Sequence, residues 1–118
     1  MIKSFKDLKV YQIAFSLAME IFKETKNFPA EEKYSITSQI TRSSRSIAAN
    51  ISEGWAKREY QSVFKQQLVT SLGSAGETKT WIDFALACKY LSKELHFEWI
   101  KQIDEISKML TVLHQKWK

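Results

Sequence analysis

Apolar residues recur along the chain at three- and four-residue intervals in four stretches. From about residue 7 to 26, Leu8, Tyr11, Ala14, Ala18, Ile21 and Thr25 share one helical face, widened by Val10, Phe15, Leu17 and Phe22. A face that broad predicts burial on more than one side. Asn27, Phe28 and Pro29 close it, because the residue before a proline is pushed out of the helical region; Pro29 can then open a short turn through Glu31 and Glu32. Between 35 and 56, Ile36, Ile40, Ile47 and Ile51 fall within about 60° of one another, which is one apolar stripe on a helix. The third stretch, about 60 to 91, carries Phe64, Leu68, Leu72, Ala75, Ile82 and Leu86 without a proline. As a helix it would be ~45 Å long, so its partners must be long too. In the fourth, 93 to 117, the steps from Trp99 to Ile103, Ile106, Leu110, Leu113 and Trp117 make a bundle seam, and Ser92 is placed as its N-cap. The pattern predicts an all-α fold, an antiparallel up-down four-helix bundle forming one domain over 1–118.

Composition narrows the chemistry. Three Gly and one Pro among 118 residues disfavour a turn-rich β fold, and a 44% hydrophobic fraction is enough for one continuous core. The single cysteine, Cys88, excludes an intrachain disulfide and a cysteine-rich zinc site, and on an apolar helix it reads as a small buried hydrophobe. Neither His96 nor His114 follows a glutamate by three residues, as a bundle-bound di-iron site requires. Asp104 and Glu105 are adjacent and diverge on a helix, so paired acid–base work is not indicated. GSAGETKT at 73–80 has Thr78 where a phosphate loop needs glycine before Lys79, and no strand precedes it. These readings point away from an enzyme, a metal and a cofactor. The stretch MIKSFKDLKV lacks an apolar core of signal-peptide length and no run approaches the roughly 18 apolar residues of a membrane span, so a soluble, cytoplasmic protein is expected.

The net charge of +5 is unevenly placed. Residues 1–34 carry six lysines against five acids, and 71–118 carry seven against six. Between 35 and 70 five cations, Arg42, Arg45, Lys57, Arg58 and Lys65, face two acids, Glu53 and Glu59, and all three arginines of the chain lie here. Such an excess suits a salt-sensitive contact with phosphate, and it equally suits a solvated face. Inside this region RSSRSIAANISEGWAKR (42–58) spends small residues where bulky ones would bury more surface. On the helical wheel Gln39, Ser46, Asn50, Glu53 and Lys57 form a polar stripe beside the isoleucines, with Ser43 between the two and Arg45 pointing away. The stripe is either solvated or hydrogen-bonded across a close contact. Gly54 reads as a helix C-terminal glycine of positive φ. Gly73 and Gly76 lie inside a helix-length run, where each costs ~1 kcal/mol relative to alanine; close packing of a neighbouring helix is the expected reason.

The runs FKDLKVYQIA, FPAEEKYSITSQITRSSRSIAANISEGWAKR, LGSAGETKT and ISKMLTVLHQKWK, in this order, resemble the bacterial four-helix bundle family of 23S ribosomal RNA intervening-sequence proteins. The likeness spans essentially the whole chain. Its most specific part is Ser46-Ile47-x-x-Asn50-Ile51-x-Glu53-Gly54 followed by Arg58, with Gln39 and Arg42 at matching spacing from Phe28-Pro29. The resemblance implies a ring-like homopentamer, and the family is itself similar to the accessory protein of diversity-generating retroelements, a basic pentameric bundle that binds nucleic acid and a reverse transcriptase. Family positions carried over are Gln39, Arg42, Ser46, Asn50, Glu53, Gly54 and Arg58, joined by Gly73, Ser74 and Glu77. Gly76 and Arg45 depart from the pattern, the first where a larger residue is common and the second where a small or apolar one is usual.

The leading expectation is a non-catalytic oligomeric scaffold that holds RNA, or a nucleic-acid-processing protein partner, through a basic surface. Arg42, Arg45, Lys57, Arg58 and Lys65 would contact phosphate, repeated around the ring so that weak contacts act together. Gln39, Ser46, Asn50, Glu53, Gly54, Gly73, Ser74 and Glu77 would serve helix packing or the subunit interface. Trp55 reads as packed rather than displayed for base stacking. The alternative is a protein-interaction module without a nucleic-acid role, its arginines paired with acids such as Glu53 and Glu77.

Overall fold

A computed structural model describes residues 2–117. Four helices, α1 (Lys9–Thr25), α2 (Ile36–Ala56), α3 (Gln61–Ala87) and α4 (Lys93–Lys116), pack together, and the described residues contain no strand. Each helix touches the next in sequence, and α1 also touches α4, so two seams, α2–α3 and α1–α4, lie on opposite sides of the molecule. Across α2–α3, Ser43 meets Thr78, Ser46 meets Ser74 and Asn50 meets Gln67. Numbers rise along one helix as they fall along the other. The same holds for α3 and α4, where Phe64 meets Trp117 and Asp83 meets His96.

The seams read from periodicity form the core. Ile36, Ile40, Ile47 and Ile51 of α2 and Trp99, Ile103, Ile106 and Leu110 of α4 are all buried, together with Phe64, Leu68 and Ile82 of α3. On α1 the broad face is buried at Val10, Ala14, Leu17 and Ile21, but Phe15 is 52% exposed, so the helix is covered on less than its full apolar width. Trp99 Nε1 is buried without a hydrogen-bond partner, which marks this indole as a filler of volume rather than a member of a polar network.

Helix boundaries follow local chemistry. A capping box at Ser4 and Asp7 closes a 3-10 turn (Phe5–Asp7) that leads into α1. Pro29 opens a second 3-10 turn (Ala30–Glu32), as expected. Ser92 caps α4 by accepting from the Leu95 N–H at 3.1 Å. The third helix is shorter than the 60–91 expected, ending at Ala87. Lys89 takes φ 65°, the Lys89 N–H donates to the Leu86 carbonyl and the Tyr90 N–H to the Ala85 carbonyl, which is a Schellman ending. Glycine normally fills that left-handed position, so a lysine there gave no stop signal. Cys88 is corrected with it: at the helix end it is exposed rather than buried.

Candidate functional site

Helices α2 and α3 approach closely enough for short polar side chains to bond directly across the gap. Thr78, fully buried, donates to Ser43 Oγ at 2.8 Å and lies 2.8 Å from the Ser74 carbonyl. The hydroxyls of Ser46 and Ser74 are 2.8 Å apart, and Ser71 donates to the Ile47 carbonyl at 2.8 Å. Asn50 Nδ2 donates to both the carbonyl and the hydroxyl of Ser46, while its Oδ1 accepts from Gln67 Nε2 at 2.9 Å. Of the two readings of the polar stripe, Ser43, Ser46 and Asn50 therefore follow the bonded one, within a single chain. Bulky residues here would separate the helices and break the bonds that cross between them: Ser43–Thr78, Ser46–Ser74, Ser71 to the Ile47 carbonyl and Asn50–Gln67.

Gly54 belongs to the same seam. It lies inside α2, not at its end, and no glycine of the described chain has positive φ. A Cβ there would meet Gln67 Cβ at 2.8 Å and Phe64 Cδ1 at 3.2 Å, so glycine is required for helix approach rather than for a turn. Gly73 and Gly76 are the reverse case. A Cβ on either would meet nothing within 4 Å, so no neighbouring helix of this chain explains them.

The five cations picked from the sequence do not converge on one spot. Arg42 lines a polar pocket of about 160 Å³ between α2 and α3, together with Gln39, Ser43, Ser46, Ser74 and Glu77. Arg45 lies on the other flank, its guanidinium 5.0 Å from the Phe22 ring of α1. Lys57 pairs with Glu53 at 2.8 Å, and Arg58 stacks 4.3 Å above Trp55 while Nη1 donates to the Trp55 carbonyl. Lys65 is half-buried on the stripe of α3 that leads, two heptads on, to Lys79 and its α4 partner Asp104. All four on α2 and its C-terminal turn remain exposed. Within one chain no arginine pairs with a carboxylate among the described residues: Glu53 is taken by Lys57, and Glu77 accepts from Trp81 Nε1 at 3.0 Å. Trp55 is packed, at 8% exposure, against Phe64 and Trp117.

The fold creates a charge pattern that the linear count hides. The start of α1, the α2–α3 turn and the end of α4 lie at one end of the molecule. That half (residues 2–17, 47–73 and 105–117) carries eight lysines and arginines against four carboxylates; the other half carries nine against nine. The whole excess of the described chain therefore sits at one end, and Lys3, Lys6, Lys9, Lys108 and Lys116 contribute to it. Sequence reasoning missed these five because each lies in a segment that is nearly neutral by itself.

Among the described residues no helix is long and apolar enough to cross a membrane, and no group of three His, Cys, Asp or Glu could hold a metal ion. The residues thus define a small, basic, all-α protein of four helices, with its buried hydroxyl pairs gathered on the α2–α3 seam. A sequence profile of the 23S rRNA-intervening sequence protein matches residues 6–112, and the chain belongs to that family. A crystal structure from Bacteroides thetaiotaomicron VPI-5482, of a protein with unknown function from the S23 ribosomal protein family, is 27% identical. It superposes with a TM-score of 0.82 over 91% of this chain and 96% of that one. No curated protein matches the chain.

Proposed function

We propose that this chain is a non-catalytic scaffold of the cytoplasm, an antiparallel up-down bundle that associates with copies of itself and holds RNA on its basic end. A ring of five copies follows from the family resemblance, and a nucleic-acid-processing protein is a further partner of such an assembly. The observation that carries the reading is the collection of the described residues' charge excess at one end, brought together from three separate parts of the sequence. Lys57 and Arg58 stand at that end beside the turn between α2 and α3, while Arg45 lies ~18 Å further along α2, so a bound polyanion would run along the helix rather than across one point.

Self-association is supported by the outer face of α3. Val63, Val69 and Phe84 are 40%, 45% and 51% exposed on it, and Gly73 and Gly76 leave open space beside them. Lys79 and Asp83 are directed to Asp104 and His96 of α4, which leaves Glu77 as the carboxylate on a long, otherwise neutral face. Apolar surface of this extent on a helix is normally covered.

Titration of RNA binding with salt tests the proposal: affinity falls steeply as salt rises, and falls again on Arg45→Ala and Arg58→Ala while native mass stays that of the oligomer. Absence of binding at low salt removes the RNA role and leaves the alternative, a protein-interaction module. That alternative draws on the way Arg45 and Arg58 already lie over aromatic rings of their own chain.

A further inference from the structure

The α1–α4 seam lies across the molecule from the hydroxyl seam and is the least closely packed of the four. Where the start of α1 meets the end of α4 it opens into a groove of about 410 Å³. Leu8, Val10, Met109, Val112 and Leu113 form its floor, and Lys9, Lys108 and Lys116 stand on its rim. No carboxylate lines the groove, and none of the three lysines has an ion-pair partner among the described residues. Val112, at 41% exposure, leaves an apolar side chain in water between two of them.

The geometry points to this groove as the docking site for an amphipathic helix of a protein partner, with an apolar ridge that meets the floor and Asp or Glu flanks that meet the lysines. Such a helix would add a further member to the packing of α1 and α4, at the usual interaxial distance of roughly 8–10 Å. From Lys108 to Lys116 the groove runs ~12 Å along α4, so a little over two turns of partner helix span it. RNA fits the floor poorly, since aliphatic side chains offer neither hydrogen bonds to a sugar nor an aromatic face for a base. A second copy docking through the outer face of α3 would leave three lysines without carboxylates, apart from Glu77. Charge complementarity therefore selects an acidic partner.

The test uses the full chain and a synthetic helical peptide of about 14 residues, with leucines at i, i+3, i+4, i+7 and i+11 and glutamates on both flanks. A second peptide has lysines in place of the glutamates. Fluorescence anisotropy at physiological salt is expected to show binding of the acidic peptide alone, with methyl shifts at Met109, Val112 and Leu113. Val112→Asp, at an exposed site, weakens it about tenfold or more, and Lys9→Glu with Lys116→Glu reverses the preference toward the lysine peptide. Three results overturn the assignment. The acidic peptide fails to bind, or binds Val112→Asp as well as wild type; Val112→Asp instead dissociates the oligomer, which gives the groove to a second copy; or a neutral Val112→Asn, which leaves the three lysines in place, weakens RNA binding as much as it weakens peptide binding, which gives the floor to RNA.

Discussion

A Cβ placed on Gly54 of α2 would lie 2.8 Å from the Cβ of Gln67 on α3. The Gln67 Cβ is fixed to its helix backbone, so it cannot yield by a rotamer change, and the Phe64 ring closes the other side at 3.2 Å. The same approach holds the Gln67 amide 2.9 Å from Asn50 Oδ1. Gly54→Ala would gain up to about 1 kcal/mol in helix propensity, but overpacking of a well-packed site costs about 1–3 kcal/mol. Net destabilisation is expected, seen as a lower urea midpoint at unchanged slope. Equal or greater stability would show that α2 and α3 can part at this point without penalty.

The hydroxyl pair Ser43 and Thr78 should behave as one unit. Both are buried, and without Thr78 the Ser43 hydroxyl keeps only a 3.4 Å contact with the Ile40 carbonyl. Thr78→Val preserves shape while orphaning that hydroxyl, so a loss of about 1–3 kcal/mol is expected. Ser43→Ala together with Thr78→Val removes both polar groups, and the double change should cost less than the sum of the single ones. A double-mutant cycle by urea unfolding measures this coupling; strict additivity would mean that the bond contributes nothing specific.

Glycines at 73 and 76 should respond in the opposite sense to Gly54. With open space around each Cβ position, Gly73→Ala stabilises the dissociated chain by about 0.5–1 kcal/mol through helix propensity. If the outer face of α3 packs against a second copy, the added methyl also weakens association. Urea unfolding at low concentration and sedimentation velocity read the two effects separately. A variant that gains stability and associates as wild type takes α3 out of the interface.

Much of the fold was legible because helical periodicity is redundant. Ile36, Ile40, Ile47 and Ile51 specify a buried stripe together, and no single exception erases it. Single-residue punctuation was less secure. Ser92 carried a recognisable cap, whereas Lys89 adopts a glycine-like conformation that its side chain does not advertise. Gly54 was misread because a glycine after a polar run can signal either a helix end or a close approach, and only the position of Gln67 decides. The five scattered lysines at the basic end were illegible for a different reason. Their grouping is a property of helix direction, which brings residues near 6, 57 and 116 together, and no local window contains it.

The loop ends opposite the basic end are tied by Tyr90, whose hydroxyl donates to Glu32 Oε2 at 2.7 Å while its ring packs 5.5 Å from Phe28. This joins the α1–α2 connection to the turn after α3. Donation to the Glu32 carboxylate, with partial loss of hydration and the negative charge beside it, pushes the phenol from its usual value of 10.0 up to about 12. Because the pKa in the folded chain is raised above the unfolded value, the tie stabilises the fold fully below pH 10 and its contribution is lost between pH 10 and about 12. Ultraviolet titration of the phenolate band should show a late component that Tyr90→Phe removes and Glu32→Gln moves down toward 10. Tyr90→Phe should also speed amide exchange at Lys33 and Ser35, since the turn at Ala30–Glu32 loses its anchor to the α3–α4 connection. A titration unchanged by Glu32→Gln would place the cause of the shift elsewhere and dissolve the link between the two loops.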